Sequence, residues 1–143
     1  MKINKYPEII GRITPEIIDK LNDDEIFVFG SNKSGIMGAG AAKIAHQRFG
    51  AKWGVGVGLT GKCYAIPTKD YGIRRTLKLD EIKTYVDDFM MTAKHFENIT
   101  FLVTPVGCGL AGYNPEQISP LFIEAMDVKN IHLPMSFWEV LKG

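Results

Sequence analysis

Ile26-Phe27-Val28-Phe29-Gly30-Ser31-Asn32-Lys33-Ser34-Gly35-Ile36-Met37-Gly38-Ala39-Gly40-Ala41-Ala42 is the stretch that decides the fold. A short apolar run of strand length passes into a glycine-rich loop, and the loop passes into an alanine-rich helix. The same grammar returns once. Phe101-Leu102-Val103-Thr104-Pro105-Val106 leads into Gly107-Cys108-Gly109-Leu110-Ala111-Gly112-Tyr113, and Asn114-Pro115-Glu116 then starts a helix. Glycine lets backbone N–H groups approach an anion with no Cβ in the way, and a helix beginning at the loop adds unpaired donors and a partial positive charge. Two such loops at the same ends of neighbouring parallel strands form one clamp for a phosphate-bearing ligand.

The rest of the chain alternates in the same manner. Thr14-Pro15-Glu16 carries helix-start signals, with Ile17, Ile18 and Leu21 facing inward. The helix after the first loop carries Ala41, Ala42, Ile44, Ala45 and Phe49 and stops at Gly50. Cys63 to Ile66 reads as a strand closed by Pro67, and Asp80 as the cap of a long helix with Ile82, Val86, Phe89, Met90, Ala93 and Phe96 at helical spacing. Strand 101–106 is followed by a helix holding Ile118, Leu121, Phe122, Ala125 and Met126. Ile131 to Pro134 is a last strand, with Ser136 as the cap of a terminal turn. Met1 to Ile13 gives no clear element, though Ile9 and Ile10 suit a sheet edge. Strands joined by helices of this length predict one α/β domain over 1–143, its largely parallel sheet covered on both faces.

Composition sets the bounds. In 143 residues, 45% hydrophobic, a single domain has a true core. Seventeen basic against sixteen acidic residues leave a formal charge of +1, so strong non-specific nucleic-acid binding is not expected. Cys63 and Cys108 have neither metal-ligand spacing nor an obvious pairing, which predicts free thiols, no metal and a cytoplasmic protein. No apolar run reaches membrane-spanning length and no signal peptide is evident, so no membrane partner is expected.

Ligands bind such sheets beyond the carboxyl ends of the strands. The strands at 26–29, 63–66 and 101–106 all run into unusual loops there: Ser31 and Asn32, then Thr68, Lys69 and Asp70, then Gly107 to Tyr113. Other motifs fit less well. Gly56-Val57-Gly58-Leu59-Thr60-Gly61-Lys62-Cys63 has P-loop spacing, but Cys63 replaces the metal-binding hydroxyl and the strand follows the lysine instead of preceding the loop. Gly35, Gly38 and Gly40 do not make a dinucleotide fingerprint, since Lys43 stands where a third glycine is needed. Cys108 lacks a histidine nearby in sequence, because His46, His95 and His132 are scattered singly.

The stretch from Gly30-Ser31-Asn32 through Met37-Gly38-Ala39-Gly40-Ala41 to Arg48-Phe49-Gly50 resembles the first ligand loop of macro domains, the ADP-ribose-binding family. Its likeness is to the branch that includes terminal ADP-ribose protein glycohydrolases and the antitoxins that remove ADP-ribose from DNA. Tyr64-Ala65-Ile66-Pro67-Thr68-Lys69 is similar to that branch's strand ending in a catalytic lysine, and Pro105-Val106-Gly107-Cys108-Gly109-Leu110 to its second loop. Gly11-Arg12-Ile13-Thr14 is similar to its first motif, with Arg12 where an acid is usual. The resemblance implies a macro-like three-layer α/β/α sandwich with a mostly parallel mixed sheet, and a ligand that is ADP-ribose or ADP-ribosylated protein or nucleic acid, with no further cofactor. It implies that Ser31, Asn32, Met37, Gly38, Ala39, Gly40, Ala41 and Thr68 hold the ribose and phosphates. Gly107, Cys108, Gly109, Leu110, Ala111, Gly112 and Tyr113 then cover the pyrophosphate from the other side, with Tyr113 a ring over a sugar or base. Lys69 becomes the candidate nucleophile toward the sugar's anomeric carbon. The acid that follows Gly-Cys-Gly-Leu in the nearest glycohydrolase pattern is Ala111 here. A non-catalytic module that senses or sequesters such a nucleotide is the alternative.

Overall fold

A computed structural model describes residues 6–143; Met1–Lys5, the start of the unassigned N-terminal stretch, lie outside it. The strands are β1 (Ile13–Thr14), β2 (Glu25–Asn32), β3 (Gly58–Thr60), β4 (Cys63–Lys69), β5 (Thr100–Val103) and β6 (Ile131–Pro134). The helices are α1 (Gly40–Phe49), α2 (Leu79–His95), α3 (Pro115–Ile118) and α4 (Met135–Lys142), with 3-10 segments at Pro7–Ile9, Tyr71–Ile73 and Ser119–Asp127. One six-stranded sheet has the order β1-β6-β5-β2-β4-β3. Every neighbouring pair is parallel except β3 with β4.

Alternation along the central strands divides the core in two. Phe27, Phe29, Cys63 and Ala65 face Ala42, Ala45 and Phe49 of α1. Val28, Tyr64, Ile66, Phe101 and Val103 face Ile82, Val86, Phe89 and Met90 of α2 and the aromatic residues Phe122, Phe137 and Trp138. Phe89 knits the second face, its ring centroid 5.1 Å from that of Tyr64 and 5.6 Å from that of Phe101. Burial of each such ring contributes about 1.5–3 kcal/mol. The expected α/β architecture with a mixed, mostly parallel sheet is therefore present, with helices on both faces.

Several local expectations fail, each for a tertiary reason. No helix starts at Thr14: Ile13 and Thr14 pair with Leu133 and Pro134, and the chain beyond runs irregularly, packing Ile18 and Leu21 on the α1 cluster while Ile17 stays exposed. Ile9 is wholly buried on its 3-10 turn, not at a sheet edge, and Ile10 is exposed. Pro67 does not close β4, which continues to Lys69; pairing with β3 has ended at Ala65, so the missing N–H costs no bond on that side. β5 ends at Val103, earlier than expected. Asp80 lies in the first turn of α2, and the Glu81 carboxylate accepts from the Lys78 N–H at its start. The helix from Asn114 holds for one α turn and tightens to 3-10 at Ser119-Pro120, where proline removes a donor. Ser136 falls inside α4, which starts directly after Pro134.

Candidate functional site

Because β2, β4 and β5 are parallel, their carboxyl ends lie at one edge of the sheet, and a cavity of about 250 Å³ opens there. Gly30, Ser31 and Asn32 from β2, Thr68 and Lys69 from β4, and Thr104 and Pro105 after β5 form its floor. Gly38, Ala39, Gly40, Ala41 and Ala42 form one wall, and Gly107, Gly109, Leu110 and Ala111 the other. Ile36 and Ile73 complete it. Lys69 is the one ionisable residue among those lining the cavity.

The wall at α1 is a helix start without a side-chain cap: Ala39 is the N-cap and offers none, and the first backbone acceptance inside the helix is Lys43 N–H to Ala39 O at 3.2 Å. The amides of Gly40, Ala41 and Ala42 precede that bond and belong to residues on the wall. Gly38 and Gly109 are the second distinctive feature. Neither has a positive φ, and a Cβ at either would meet nothing within 4 Å, so neither backbone conformation nor internal packing requires glycine there. Their bareness widens the cavity.

Other glycines do brace the fold. A Cβ on Gly56 would lie 2.1 Å from the Asn32 carbonyl oxygen, and one on Gly35 would lie 2.3 Å from the Gly54 carbonyl carbon. Gly54 N–H donates to Gly35 O at 2.9 Å and Ser31 Oγ to Gly56 O at 2.5 Å. The segment with P-loop spacing is therefore the strut under the first loop, and its Gly58–Thr60 portion is the antiparallel β3.

The expected site residues divide accordingly. Ser31, Asn32, Gly38, Ala39, Gly40, Ala41, Thr68, Lys69, Gly107, Gly109, Leu110 and Ala111 meet at the cavity, whereas Met37, Cys108, Gly112 and Tyr113 are not on its wall. Met37 is buried in the α1 cluster. Cys108 packs against the α2 cluster, its Sγ 3.5 Å from Val106 O, and burial, followed by the charge of Glu116, pushes its thiol pKa up. Tyr113 packs on the same cluster and its hydroxyl donates to Leu77 O at 2.6 Å. Asn32 ties its own loop: Nδ2 donates to Ile36 O at 2.9 Å and Oδ1 accepts from Ile36 N–H at 3.0 Å, leaving one N–H and one lone pair for a ligand.

Sequence reasoning missed the strap Asp70–Arg75 and the residues that fix it. Asp70 N–H donates to Arg75 O at 2.8 Å, closing the loop, and Arg75 bridges Asp70 and Glu81, each at 2.8 Å. Hydrogen bonds from Arg75 hold both carboxyls low, Glu81 at about 2. Lys33 Nζ stands 3.9 Å from Asp70. Gly72 N–H donates to Ser34 Oγ of the first loop at 2.9 Å, and Thr76 Oγ1 donates to Ala111 O of the second at 3.2 Å. Within the strap, Ile73 has φ +60°, a left-handed conformation costing a β-branched residue about 1–3 kcal/mol. Asp-Tyr-Gly signals a turn, but nothing local signals a strained isoleucine.

A second, larger cavity of about 880 Å³ adjoins the first, sharing Gly40, Ala41, Thr104 and Pro105 with it. Its lining is mostly apolar, with Ile13, Ile17, Ile18, Phe27 and Ile44, and Glu16 and Arg48 bring charge. Arg12 does not line it. Its guanidinium donates to the carbonyls of Ala125, Met126, Val128 and Ile131 at 2.8–3.3 Å, and desolvation lowers its pKa against the counter-pull of Asp127.

The fold and cavity define an α/β protein with a six-stranded, mostly parallel mixed sheet and a cleft at the carboxyl ends of its central strands. Comparison of the chain with protein-family models, with curated proteins and with solved structures finds no match. Among the described residues no helix is long and apolar enough to cross a membrane.

Proposed function

We propose that this protein binds ADP-ribose or a nucleotide derived from it, and that Lys69 removes the ADP-ribose unit from a modified macromolecule. The observation that carries the reading is the smaller cavity's wall, in which open glycines and an uncapped helix start surround a single lysine. Amide donors suit a pyrophosphate, the lysine suits the reacting end of the ligand, and the adjoining apolar cavity suits a base. Together they match an elongated molecule that is anionic at its middle and flat at one end.

In this reading the distal ribose lies beside Lys69. The nitrogen lone pair of the amine attacks the anomeric carbon, the bond from that carbon to the acceptor breaks, and the amine's surplus proton goes to the departing acceptor. Ring opening gives a Schiff base between Nζ and the sugar. Water adds to it, releasing ADP-ribose and restoring the amine. Titration with ADP-ribose against ATP tests the binding, and borohydride added during turnover tests the chemistry by trapping the sugar on Lys69. Heat with ATP alone sinks the reading.

A specific observation favours the non-catalytic module as the second reading: no carboxylate is among the residues lining the smaller cavity. Asp70, beside Lys69 in sequence, is turned to Arg75 and accepts the Tyr71 N–H at 2.8 Å, so it is not free to act as a base. Tight ADP-ribose binding without a trapped adduct would select this reading.

A further inference from the structure

Ile73 combines three properties that have no common explanation in packing. It lines the smaller cavity, its side chain is partly exposed apolar surface, and its backbone is held at φ +60°. Left-handed backbone is the province of glycine, asparagine and aspartate, and Gly72 beside it already has φ +73°. A loop under no other demand would relax by taking a polar residue at 73. The conformation is instead imposed: Ile73 N–H donates to Asp70 O at 3.2 Å, Gly72 N–H is tied to Ser34, and Arg75 clamps Asp70. Strain that the surroundings over-determine at a cavity wall points to a role for the side chain it positions.

From this geometry we infer that Ile73 is a specificity-determining cover residue, an apolar surface held in advance over the ligand's sugar at the mouth beside Lys69. The inference rests on the nucleotide-binding reading above. Leu110, exposed on the second loop and lining the same cavity, supplies apolar surface from the other loop. Thr76, the residue after the strap, donates to Ala111 O of the second loop, which ties the two surfaces together. A sugar entering between them exchanges water on its apolar face for isoleucine and leucine, while its hydroxyls and phosphates meet the amides. A ligand with phosphates but no sugar at this end gains nothing from the cover.

Calorimetry with ADP-ribose and with ADP, on the wild type, Ile73→Asn and Ile73→Val, decides the matter. Asparagine tolerates the left-handed backbone, so Ile73→Asn should melt no lower than the wild type, yet bind ADP-ribose about tenfold more weakly and ADP as before. Ile73→Val, which keeps an apolar surface, should restore most of the ADP-ribose affinity. Equal ADP-ribose affinity in the wild type and Ile73→Asn overturns the cover. So does a loss shared equally by ADP, or a melting temperature that falls in step with affinity. A wild type that gives no heat with ADP-ribose overturns the nucleotide reading and the cover with it.

Discussion

The Arg12 guanidinium lies 5.1 Å from the Trp138 ring centroid, and the Trp138 indole N–H donates to the Arg12 carbonyl at 2.9 Å. This reciprocal grip joins the segment before β1 to α4, while the same guanidinium gathers four carbonyls around the end of the 3-10 segment Ser119–Asp127. An acid would repel those carbonyls. Arg12→Ala should lower unfolding free energy by about 2–4 kcal/mol, since it strands several half-buried acceptors, and Arg12→Asp should cost more. Urea titration of both variants checks this order.

The strut beneath the first loop gives the second prediction. Gly56→Ala places a methyl 2.1 Å from the Asn32 carbonyl oxygen, a backbone atom that cannot swing aside. A loss of about 3 kcal/mol or more is expected, measured by thermal or urea unfolding. Asn32 and Ser31 must shift as well, so ligand binding should fail in any fraction that still folds. Full stability in Gly56→Ala would mean that loop 54–58 moves freely.

Gly38 stands at the other extreme. With open space around its Cβ position, Gly38→Glu should leave stability within about 0.5 kcal/mol while setting a carboxylate where the proposed nucleotide would place its phosphates. Affinity for ADP-ribose should fall at least about a hundredfold. Gly40, whose φ is +59°, is a poorer choice because strain confounds the result. Unchanged binding in Gly38→Glu would move the ligand elsewhere.

Both cysteines are free, and their surroundings separate them. Burial pushes the Cys63 thiol up to about 12, against an unfolded value of about 8.5. The folded state then holds a proton that the unfolded chain gives up. Stability is full below about pH 8.5 and is lost as pH rises toward 12. Urea midpoints from pH 8 to 11 should fall for the wild type and fall less for Cys63→Ala. Thiol labelling of native protein at pH 7.5 should modify half-buried Cys108 slowly and Cys63 only on unfolding; fast labelling of both would contradict the buried placement.

Sequence alone made the architecture and most of the cleft legible because the signals were local and mutually consistent. Phe27 and Phe29 alternate with Val28, alanines mark α1 and Gly50 ends it, so strand, loop and helix could be placed from one stretch. Pairing partners are not local. Nothing in Thr14-Pro15-Glu16 reveals that Ile13 and Thr14 join β6, and nothing in Pro67 reveals that β3 stops short of it. Side-chain direction was the other blind spot. Tyr113 and Met37 sit within the two glycine-rich loops but turn into the core, and the strap that carries Ile73 is shaped by the Arg75–Asp70 pair within it, by Ser34 of the first loop and by Glu81 of α2.

Ala111 gives the prediction that bears most directly on chemistry. It lines the smaller cavity with Lys69, and its carbonyl accepts the Thr76 hydroxyl, which anchors its backbone at the wall. An aspartate there would share the cavity with a single cation. It could take the proton released as the amine attacks and activate the water that later opens the Schiff base, steps for which no lining residue now offers a carboxylate. If the amine is poised, Ala111→Asp should raise turnover of ADP-ribosylated substrates by about 10²-fold, and Lys69→Ala in the same background should abolish it while leaving ADP-ribose affinity within about tenfold. Single-turnover release of ADP-ribose, measured beside borohydride trapping, gives both numbers. Activity in Ala111→Asp that survives loss of the lysine would assign the chemistry to the new acid. No activity in either, with ADP-ribose still bound, would leave Lys69 as an anion contact in a sensing module.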